Sequence, residues 1–121
     1  MIRPDLRLAL AINEGVRAED EWFEEPDDLE RVAGALAAVD GLEDPIQAAA
    51  VLAFRVTRAQ AFGEGNKRTA LLLARWLLDH NGRDGSALLP PDDREVGELL
   101  VRAAAGADVE GQLVSLLRAR S

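Results

Sequence analysis

The sequence contains no cysteine, no tyrosine and a single histidine, His80. Without cysteine the chain has no disulfide bond, no thiolate zinc site and no cysteine nucleophile. A histidine-rich metal site is excluded too, and a Ser-His-Asp triad would have to use His80. The basic residues are also skewed, because Lys67 is the one lysine among the 14 that the chain carries.

Long hydrophobic runs are missing as well. No stretch approaches 18 consecutive apolar residues, so we expect no transmembrane helix and no membrane partner. The first five residues lack the layout of a signal peptide, and we expect a cytoplasmic protein. The formal net charge of −8 argues against direct binding to nucleic acid, because a polyphosphate backbone repels an acidic protein.

The length and the hydropathy pattern favour one all-α domain over residues 1–121. No window shows the strict alternation of a β-strand, and apolar residues recur with helical spacing. Asp27 and Asp92 are expected to cap the second and fifth helices, since each has a glutamate three residues later. We expect a compact bundle of about six helices around a central hydrophobic helix, the fourth, with helices over 5–16, 27–40, 45–59, 67–80, 92–105 and 108–118.

Charge is distributed unevenly along the chain. Residues 19–44 contain eleven acidic residues against one arginine, whereas residues 55–83 contain six basic residues against two acidic ones. Both stretches are consistent with solvated helix faces, and the basic one is also consistent with an anion-binding site. Trp22 and Phe23 interrupt the acidic stretch and are expected to pack back onto the core, with a partner-binding surface as the alternative.

The loop over residues 60–68 carries the strongest signal for chemistry. Gly63 and Gly65 allow a tight turn and a close approach of a ligand to the backbone. The loop enters the N-terminus of the next helix, where free N–H groups and the helix dipole favour phosphate. The same composition is also typical of an ordinary connection between two helices. Three residues at the helix start add hydrogen-bond donors and positive charge: Asn66, Lys67 and Arg68.

Two further residues of this loop have expected roles. Glu64 places a carboxylate beside the cationic helix start, and Mg²⁺ is typically held by one or two carboxylates together with phosphate oxygens. Phe62 is apolar and is expected to anchor the loop on the bundle. The loop therefore combines candidate ligands for phosphate and for a divalent cation.

The loop resembles the core motif of the Fic/Doc family, His-x-Phe-x-(Asp/Glu/Asn)-(Gly/Ala)-Asn-(Lys/Gly)-Arg. The continuation over residues 67–71 is similar to the Doc (death-on-curing) toxin branch, which has Lys where Fic adenylyltransferases usually have Gly. The resemblance is strongest over residues 45–82, and it implies the all-α fold of that family. Six residues match the motif in order and without gaps: Phe62, Glu64, Gly65, Asn66, Lys67 and Arg68.

The resemblance implies transfer of a phosphoryl or nucleotidyl group from a nucleotide, which in the Doc branch is ATP, to a protein hydroxyl. It also implies that Glu64 holds Mg²⁺. A Doc-like toxin has a target in the translation machinery and a small antitoxin that neutralises it. By the same resemblance, five residues bind the phosphates of the nucleotide: Gly63, Gly65, Asn66, Lys67 and Arg68.

One position departs from the motif. The family histidine, which accepts the proton of the acceptor hydroxyl, is replaced by Gln60. An amide is no general base at neutral pH, but it can orient a hydroxyl by hydrogen bonding. His80 lies about 20 Å beyond Lys67 on the same expected helix, which is too far to replace the base. Loss of a general base typically lowers a rate by roughly 10²- to 10⁴-fold.

These observations leave three hypotheses. The first is a Doc-like toxin-type transferase with atypical or weakened catalysis, in which Gln60 positions the acceptor. The second is a catalytically inactive nucleotide- or phosphate-binding module, such as a regulatory partner within a toxin–antitoxin system. The third is a structural interaction protein that keeps the fold alone, and it ranks lowest because the anion-binding residues are present as a set.

Overall fold

The computed structural model describes residues 1–17 and 27–121, and all regular secondary structure in these ranges is helical. The expected all-α class is confirmed. Trp22 and Phe23 lie outside the described residues. No helix in the described ranges is long and apolar enough to cross a membrane. The helices are α1 (Leu6–Val16), α2 (Leu29–Ala37), α3 (Pro45–Ala59), α4 (Asn66–Asp79), α5 (Gly85–Leu88), α6 (Arg94–Ala104) and α7 (Glu110–Arg120).

The central helix of the bundle is α3, not α4 as expected. Helix α3 packs against α2, α4, α6 and α7, and its alanines at 48–50 are fully buried, which allows neighbouring helices to approach closely. Helix α4 packs on α3, on α1 and on the short α5, whereas its Leu72 is 37% exposed. The apolar residues of α4 that made it look central therefore include some that border solvent.

Aspartates cap five of the helices in the described ranges, but two of the caps differ from expectation. The side chain of Asp28, not Asp27, accepts a hydrogen bond at the start of α2, and Asp93, not Asp92, does so at α6. The Asp27 carboxylate is instead bonded to the N–H of Gly63. In both places two aspartates are adjacent in sequence, and the first of them does not cap. Asp27 has another hydrogen-bond partner, and Asp92 has a left-handed backbone with φ 59°.

The connection between α4 and α6 contains a helix that the sequence did not predict. Helix α5 is a single turn capped by Asp84, too short to show a helical period. Gly85 packs so closely on α4 that a Cβ there would lie 2.7 Å from the backbone oxygen of Arg75. The last helix, α7, begins at Glu110 and extends to Arg120, about two residues later at each end than expected.

His80 lies at the C-terminal end of α4, as expected from its position before Asn81-Gly82. Its Nδ1 is 2.8 Å from the carbonyl oxygen of Trp76, and its ring stacks on the Trp76 ring with centroids 4.1 Å apart. The imidazole is therefore held at the end of α4 opposite to Lys67. This placement agrees with a structural role at the helix C-terminus.

Packing on α3 should dominate the stability of the protein. Leu52 is fully buried on α3, so Leu52→Ala is expected to lower the free energy of unfolding by about 2–5 kcal/mol through lost burial and a residual cavity. The matched control is Leu29→Ala, because Leu29 is 48% exposed and its loss should cost about 0.5 kcal/mol or less. Urea unfolding followed by circular dichroism measures both, and equal losses would contradict the assignment of α3 to the core.

An ion pair between the start of α6 and the end of α7 should make stability depend on pH. The hydrogen bond and charge of Arg120 lower the pKa of the Asp93 carboxyl below its ordinary value of 3.8. A lowered folded pKa contributes stability above the unfolded pKa, and that contribution is lost as the pH falls through the folded pKa.

Asp93→Asn keeps the capping group but removes the charge. The variant should therefore be less stable than the wild type at pH 7, and the difference should shrink as the pH falls below 3.8. Asp84→Asn is the control, because Asp84 caps α5 without an ion pair in the described part of the chain. A difference for Asp93→Asn that stays constant with pH would contradict the role of the ion pair.

Candidate functional site

The motif loop connects α3 to α4 and has two left-handed residues. Gln60, at the C-terminal end of α3, has φ 44°, and Gly65, immediately before α4, has φ 73°. Glycine is required at 65 for a second reason, since a Cβ there would lie 2.8 Å from Cγ1 of Val16. The backbone at the start of α4 therefore lies close to α1, and the side chain of Val16 leaves no room for a Cβ at position 65.

The Asn66 side chain stabilises the loop by hydrogen bonds to the backbone of the loop itself. Its Oδ1 accepts a hydrogen bond from the N–H of Phe62 at 3.1 Å, and its Nδ2 donates to the carbonyl oxygen of Phe62 at 3.1 Å. The Phe62 side chain is buried in the core. Both polar groups of the Asn66 amide are therefore occupied by the loop backbone, so that Asn66 shapes the loop and Phe62 packs it on the bundle.

Asn13 of the neighbouring helix α1 holds the loop by hydrogen bonds. This side chain is only 2% exposed, and its Nδ2 donates to the carbonyl oxygen of Glu64 at 2.9 Å and to Oγ1 of Thr69 at 3.1 Å. One amide group thus holds both the last part of the loop and the first turn of α4. An amide in this buried position is costly unless its hydrogen bonds are made, and here they are.

An ion pair between Arg17 and Asp27 also holds the loop. Asp27 accepts hydrogen bonds from the N–H of Gly63 at 2.9 Å and from the guanidinium of Arg17. Arg17 Nε in turn donates to Oδ1 of Asn13 at 2.6 Å. We call Asn13, Arg17 and Asp27 the loop frame. Sequence reasoning missed the loop frame, because Asp27 and Asn13 lie 36 and 51 residues from Gly63 and Glu64, their partners in the loop.

The start of α4 presents positive charge that no acidic side chain of residues 1–17 or 27–121 neutralises. Within these ranges no side chain caps the helix, so no side-chain acceptor from them occupies its first N–H groups. Lys67 and Arg68 are both exposed, and neither makes an ion pair or a side-chain hydrogen bond within the described residues. Helix dipole and side-chain charge therefore act in the same direction at this point.

Lys67 and Arg68 project into an open groove of about 640 Å³ between α4 and α6. The two helices each pack on α3 and form opposite walls. The surface of the groove is almost entirely apolar and includes the exposed side chain of Val101, and four basic residues and one acidic residue border it. The lining residues are Lys67, Arg68 and Leu71 on α4, and Arg94, Gly97, Glu98, Leu100, Val101 and Arg102 on α6.

Gln60 is attached to the C-terminal end of α6. Its Nε2 donates to the carbonyl oxygen of Ala104 at 2.6 Å, and its Oε1 has no partner among the described residues. The amide therefore offers an acceptor atom but no basic nitrogen. This arrangement suits the orientation of a hydroxyl group, since the carbonyl oxygen of an amide accepts hydrogen bonds without taking up a proton at neutral pH.

Glu64 has the chemistry of a Mg²⁺ ligand. It is partly buried in the loop, whose backbone is held there by Asn13. In the ranges 1–17 and 27–121, no three histidine, aspartate or glutamate side chains converge on one point. A Mg²⁺ ion at Glu64 would therefore take most of its ligands from phosphate and water, which is common for this cation.

A sequence model of the Fic/DOC family matches residues 6–78, which is more than half of the chain. The chain belongs to the Fic/DOC family. No curated protein matches the chain closely enough to be compared with it. Membership of the Fic/DOC family indicates transferase-type activity on proteins. The match includes the motif loop, the loop frame and α4 up to Leu78.

The part of this Fic/DOC chain beyond the match also contributes to the candidate site. Helix α6, which begins at Arg94, supplies one wall of the groove and the carbonyl group that binds Gln60. The structure therefore brings Lys67 and Arg68 together with two arginines that the motif does not contain, Arg94 and Arg102. Sequence reasoning missed these two because charged residues on a helix surface are ordinarily solvated.

If the loop frame positions the site, a change in it should affect the affinity for Mg·ATP as well as the free energy of unfolding. Asn13→Ala leaves Thr69 Oγ1 and the Glu64 carbonyl without their buried donor, so it should lower the free energy of unfolding by about 1–3 kcal/mol. It should also weaken binding of Mg·ATP, because the start of α4 loses its attachment to α1. Calorimetric titration and urea unfolding measure the two effects.

Asn81→Ala provides the control. Asn81 also makes several hydrogen bonds, to the backbone of Ile2 and Leu77, but it lies at the opposite end of α4. We expect this variant to lose stability and to keep its affinity for Mg·ATP. Equal loss of affinity in both variants would show that the effect of Asn13 is one of general stability.

Proposed function

We propose that this protein is a Doc-branch transferase of the Fic/DOC family that moves a phosphoryl or nucleotidyl group from ATP to a protein hydroxyl with weakened catalysis. The observation that carries the proposal is the pair Lys67 and Arg68, exposed and without an acidic partner among the described residues, at an uncapped helix start that opens into a groove. This arrangement is suited to anionic phosphate groups.

The phosphates have two sets of donors in this proposal. The N–H groups at the start of α4, with Gly63 and Gly65 allowing the backbone to come close, would receive one part of the polyphosphate. The side chains of Lys67 and Arg68 would neutralise its charge, and Glu64 would hold Mg²⁺. Asn66 supports this site indirectly, because its amide shapes the loop through Phe62.

The weakened catalysis follows from Gln60. Its Oε1 can accept a hydrogen bond from an acceptor hydroxyl, while Nε2 is fixed to Ala104. The hydroxyl would be oriented but not deprotonated by this residue. Phosphoryl transfer depends mostly on positioning and electrostatic stabilisation, so a slow reaction is compatible with the loss of the base.

The partners in this proposal follow the Doc branch. The acceptor would be a protein of the translation machinery, a small antitoxin would neutralise the activity, and the protein would act in the cytoplasm, where ATP is available. Direct contact with nucleic acid is not part of the proposal, because the net charge is −8.

The second candidate function is a nucleotide-binding module without transfer activity, for example a regulatory partner in a toxin–antitoxin system. One observation favours it, namely that the residue in the position of the family base is an amide held by a backbone carbonyl. Binding measurements do not separate the two candidates, whereas turnover does.

Binding of Mg·ATP should depend on Lys67. A charge-assisted hydrogen bond to phosphate contributes about 1.5–3 kcal/mol, so Lys67→Ala should raise Kd about 10- to 100-fold in calorimetric titrations. The control is Arg83→Ala, which removes one positive charge from an exposed residue beyond the far end of α4 and should leave Kd nearly unchanged. If Lys67→Ala and the double variant that also carries Arg68→Ala both bind Mg·ATP like the wild type, the site is elsewhere.

Transfer should respond to Gln60. Gln60→His introduces an imidazole base, and we expect the rate of label transfer from ATP to protein in a cell lysate to rise at least about tenfold with little change in Kd for Mg·ATP. Lys67→Ala in the same background should abolish the gain. Transfer by Gln60→His with none by the wild type would assign the natural protein to the second candidate function.

A further inference from the structure

The groove between α4 and α6 has an apolar surface that the described part of the chain leaves uncovered. The two helices both pack on α3 and scarcely on each other, so a slot stays open between them. The surface of the slot includes Leu71 of α4 and Val101 of α6, and Val101 is 56% exposed. An exposed apolar surface with charged residues at its border is typical of a site where another molecule binds.

The dimensions of the groove suit an α-helix. Its α6 wall extends from Arg94 to Arg102, which is about 12 Å, or two helical turns, at 1.5 Å per residue. Gly97 lies on this wall, and the space that a Cβ would occupy there is open, so a partner helix can approach α6 closely. Grooves of this kind bind amphipathic helices through apolar residues spaced three or four apart.

The charges around the groove select the partner. Arg94 and Arg102 lie on the α6 wall and Lys67 and Arg68 on the α4 wall, with Glu98 as the one acidic residue at the border. Neither arginine of α6 makes an ion pair within the described residues. Basic residues around an apolar surface complement a partner whose apolar face is flanked by acidic residues. A second copy docked groove to groove would bring like charges together.

The α6 wall connects the groove to the residue that would face the acceptor hydroxyl. Ala104 follows Arg102 by two residues, which is a rise of about 3 Å along the helix axis. The carbonyl oxygen of Ala104 accepts the hydrogen bond from Gln60 at 2.6 Å. A protein bound along α6 would therefore lie beside the end of the helix to which Gln60 is attached.

We propose that the groove between α4 and α6 is a docking surface for the acceptor protein, and that it binds an amphipathic, acidic helix of that protein. The inference rests on the proposed transferase function. The apolar face of the partner helix would cover Leu71 and Val101, and its acidic residues would pair with Arg94 and Arg102. The two cations of the motif would remain with the phosphates of ATP. The arginines outside the motif thus serve the acceptor.

The direct test uses a fluorescent peptide of about 18 residues, long enough to span the groove as a helix. It has leucine at every third or fourth position and glutamate at most others, and the full-length chain is titrated into it at saturating Mg·ATP. Fluorescence anisotropy should show binding to the wild type, and Val101→Glu should raise Kd at least about tenfold. Leu29→Glu is the control, because Leu29 is 48% exposed and lies outside the groove.

A charge swap separates the electrostatic contact from a defect in folding. The double variant Arg94→Glu with Arg102→Glu should bind the glutamate peptide at least about tenfold more weakly than the wild type. It should bind a peptide with lysine in place of glutamate better than the wild type does. Arg83→Glu changes an exposed arginine outside the groove and should match the wild type with both peptides.

Transfer to protein shows whether the docked protein is the acceptor. In a cell lysate with labelled ATP, Val101→Glu should lower the ratio of label transfer to ATP hydrolysis at least about tenfold, because water needs no docking surface. The glutamate peptide should lower the same ratio as a competitor, and the lysine peptide should not. Both measurements are repeated in the Gln60→His background, where transfer is expected to be faster.

Four results would overturn the inference while leaving the nucleotide site intact. A peptide of the same composition in scrambled order might bind as tightly as the ordered one, which would reduce the contact to charge alone. Equal Kd in the wild type and Val101→Glu would place docking elsewhere, and loss of the peptide at saturating Mg·ATP would assign the groove to the nucleotide. An unchanged transfer ratio in Val101→Glu, or no transfer even with Gln60→His, would exclude acceptor docking. Absence of Mg·ATP binding in the wild type would overturn the proposed function as well.

Discussion

The hydrogen bonds of Asn13 determine where the start of α4 lies, and the candidate site depends on that position. Asn13 Nδ2 binds the carbonyl oxygen of Glu64 and the hydroxyl of Thr69, which belong to the loop and to the first turn of α4. Arg17 and Asp27 extend this contact to Gly63. Because these contacts hold the loop backbone, the start of α4 is placed so that Lys67 and Arg68 border the groove.

The electrostatics of the groove contrast with those of the whole protein. The chain carries a net charge of −8, yet four basic residues and one acidic residue border the mostly apolar groove. Many of the other charges are used locally: aspartates cap helices, and ion pairs such as Arg55–Glu110 and Arg120–Asp93 join neighbouring elements. Lys67 and Arg68 have no such partner among the described residues, which leaves their charge available for an anionic ligand.

The sequence predicted the central part of the fold well. Asp44-Pro45 and Asn81-Gly82 are strong signals for helix boundaries, and α3 and α4 begin and end within about one residue of the expected positions. The motif loop between them was also identified, since glycines and cations at the entry to a helix are a local pattern. Local patterns of this kind can be read directly from a single sequence.

The remaining features depend on contacts between distant residues. Asn13 occupies an ordinary position within an amphipathic helix, and its role appears only when α1 meets the loop 51 residues later. The choice of Asp28 rather than Asp27 as the cap of α2 depends on the bond from Gly63 to Asp27. The α6 wall of the groove was not predicted, because Glu98 and its flanking arginines look like a solvated helix face until α4 is placed opposite.

The most direct test of this account is a titration of isotope-labelled protein with Mg·ATP, followed by the backbone amide resonances. A phosphate site at the start of α4 predicts that the largest shifts occur at residues 63–68, with further shifts along α6 from Arg94 to Arg102 and none at residues 80–83. Shifts that leave residues 63–68 unaffected, or no shifts at millimolar Mg·ATP, would contradict a phosphate site at the start of α4.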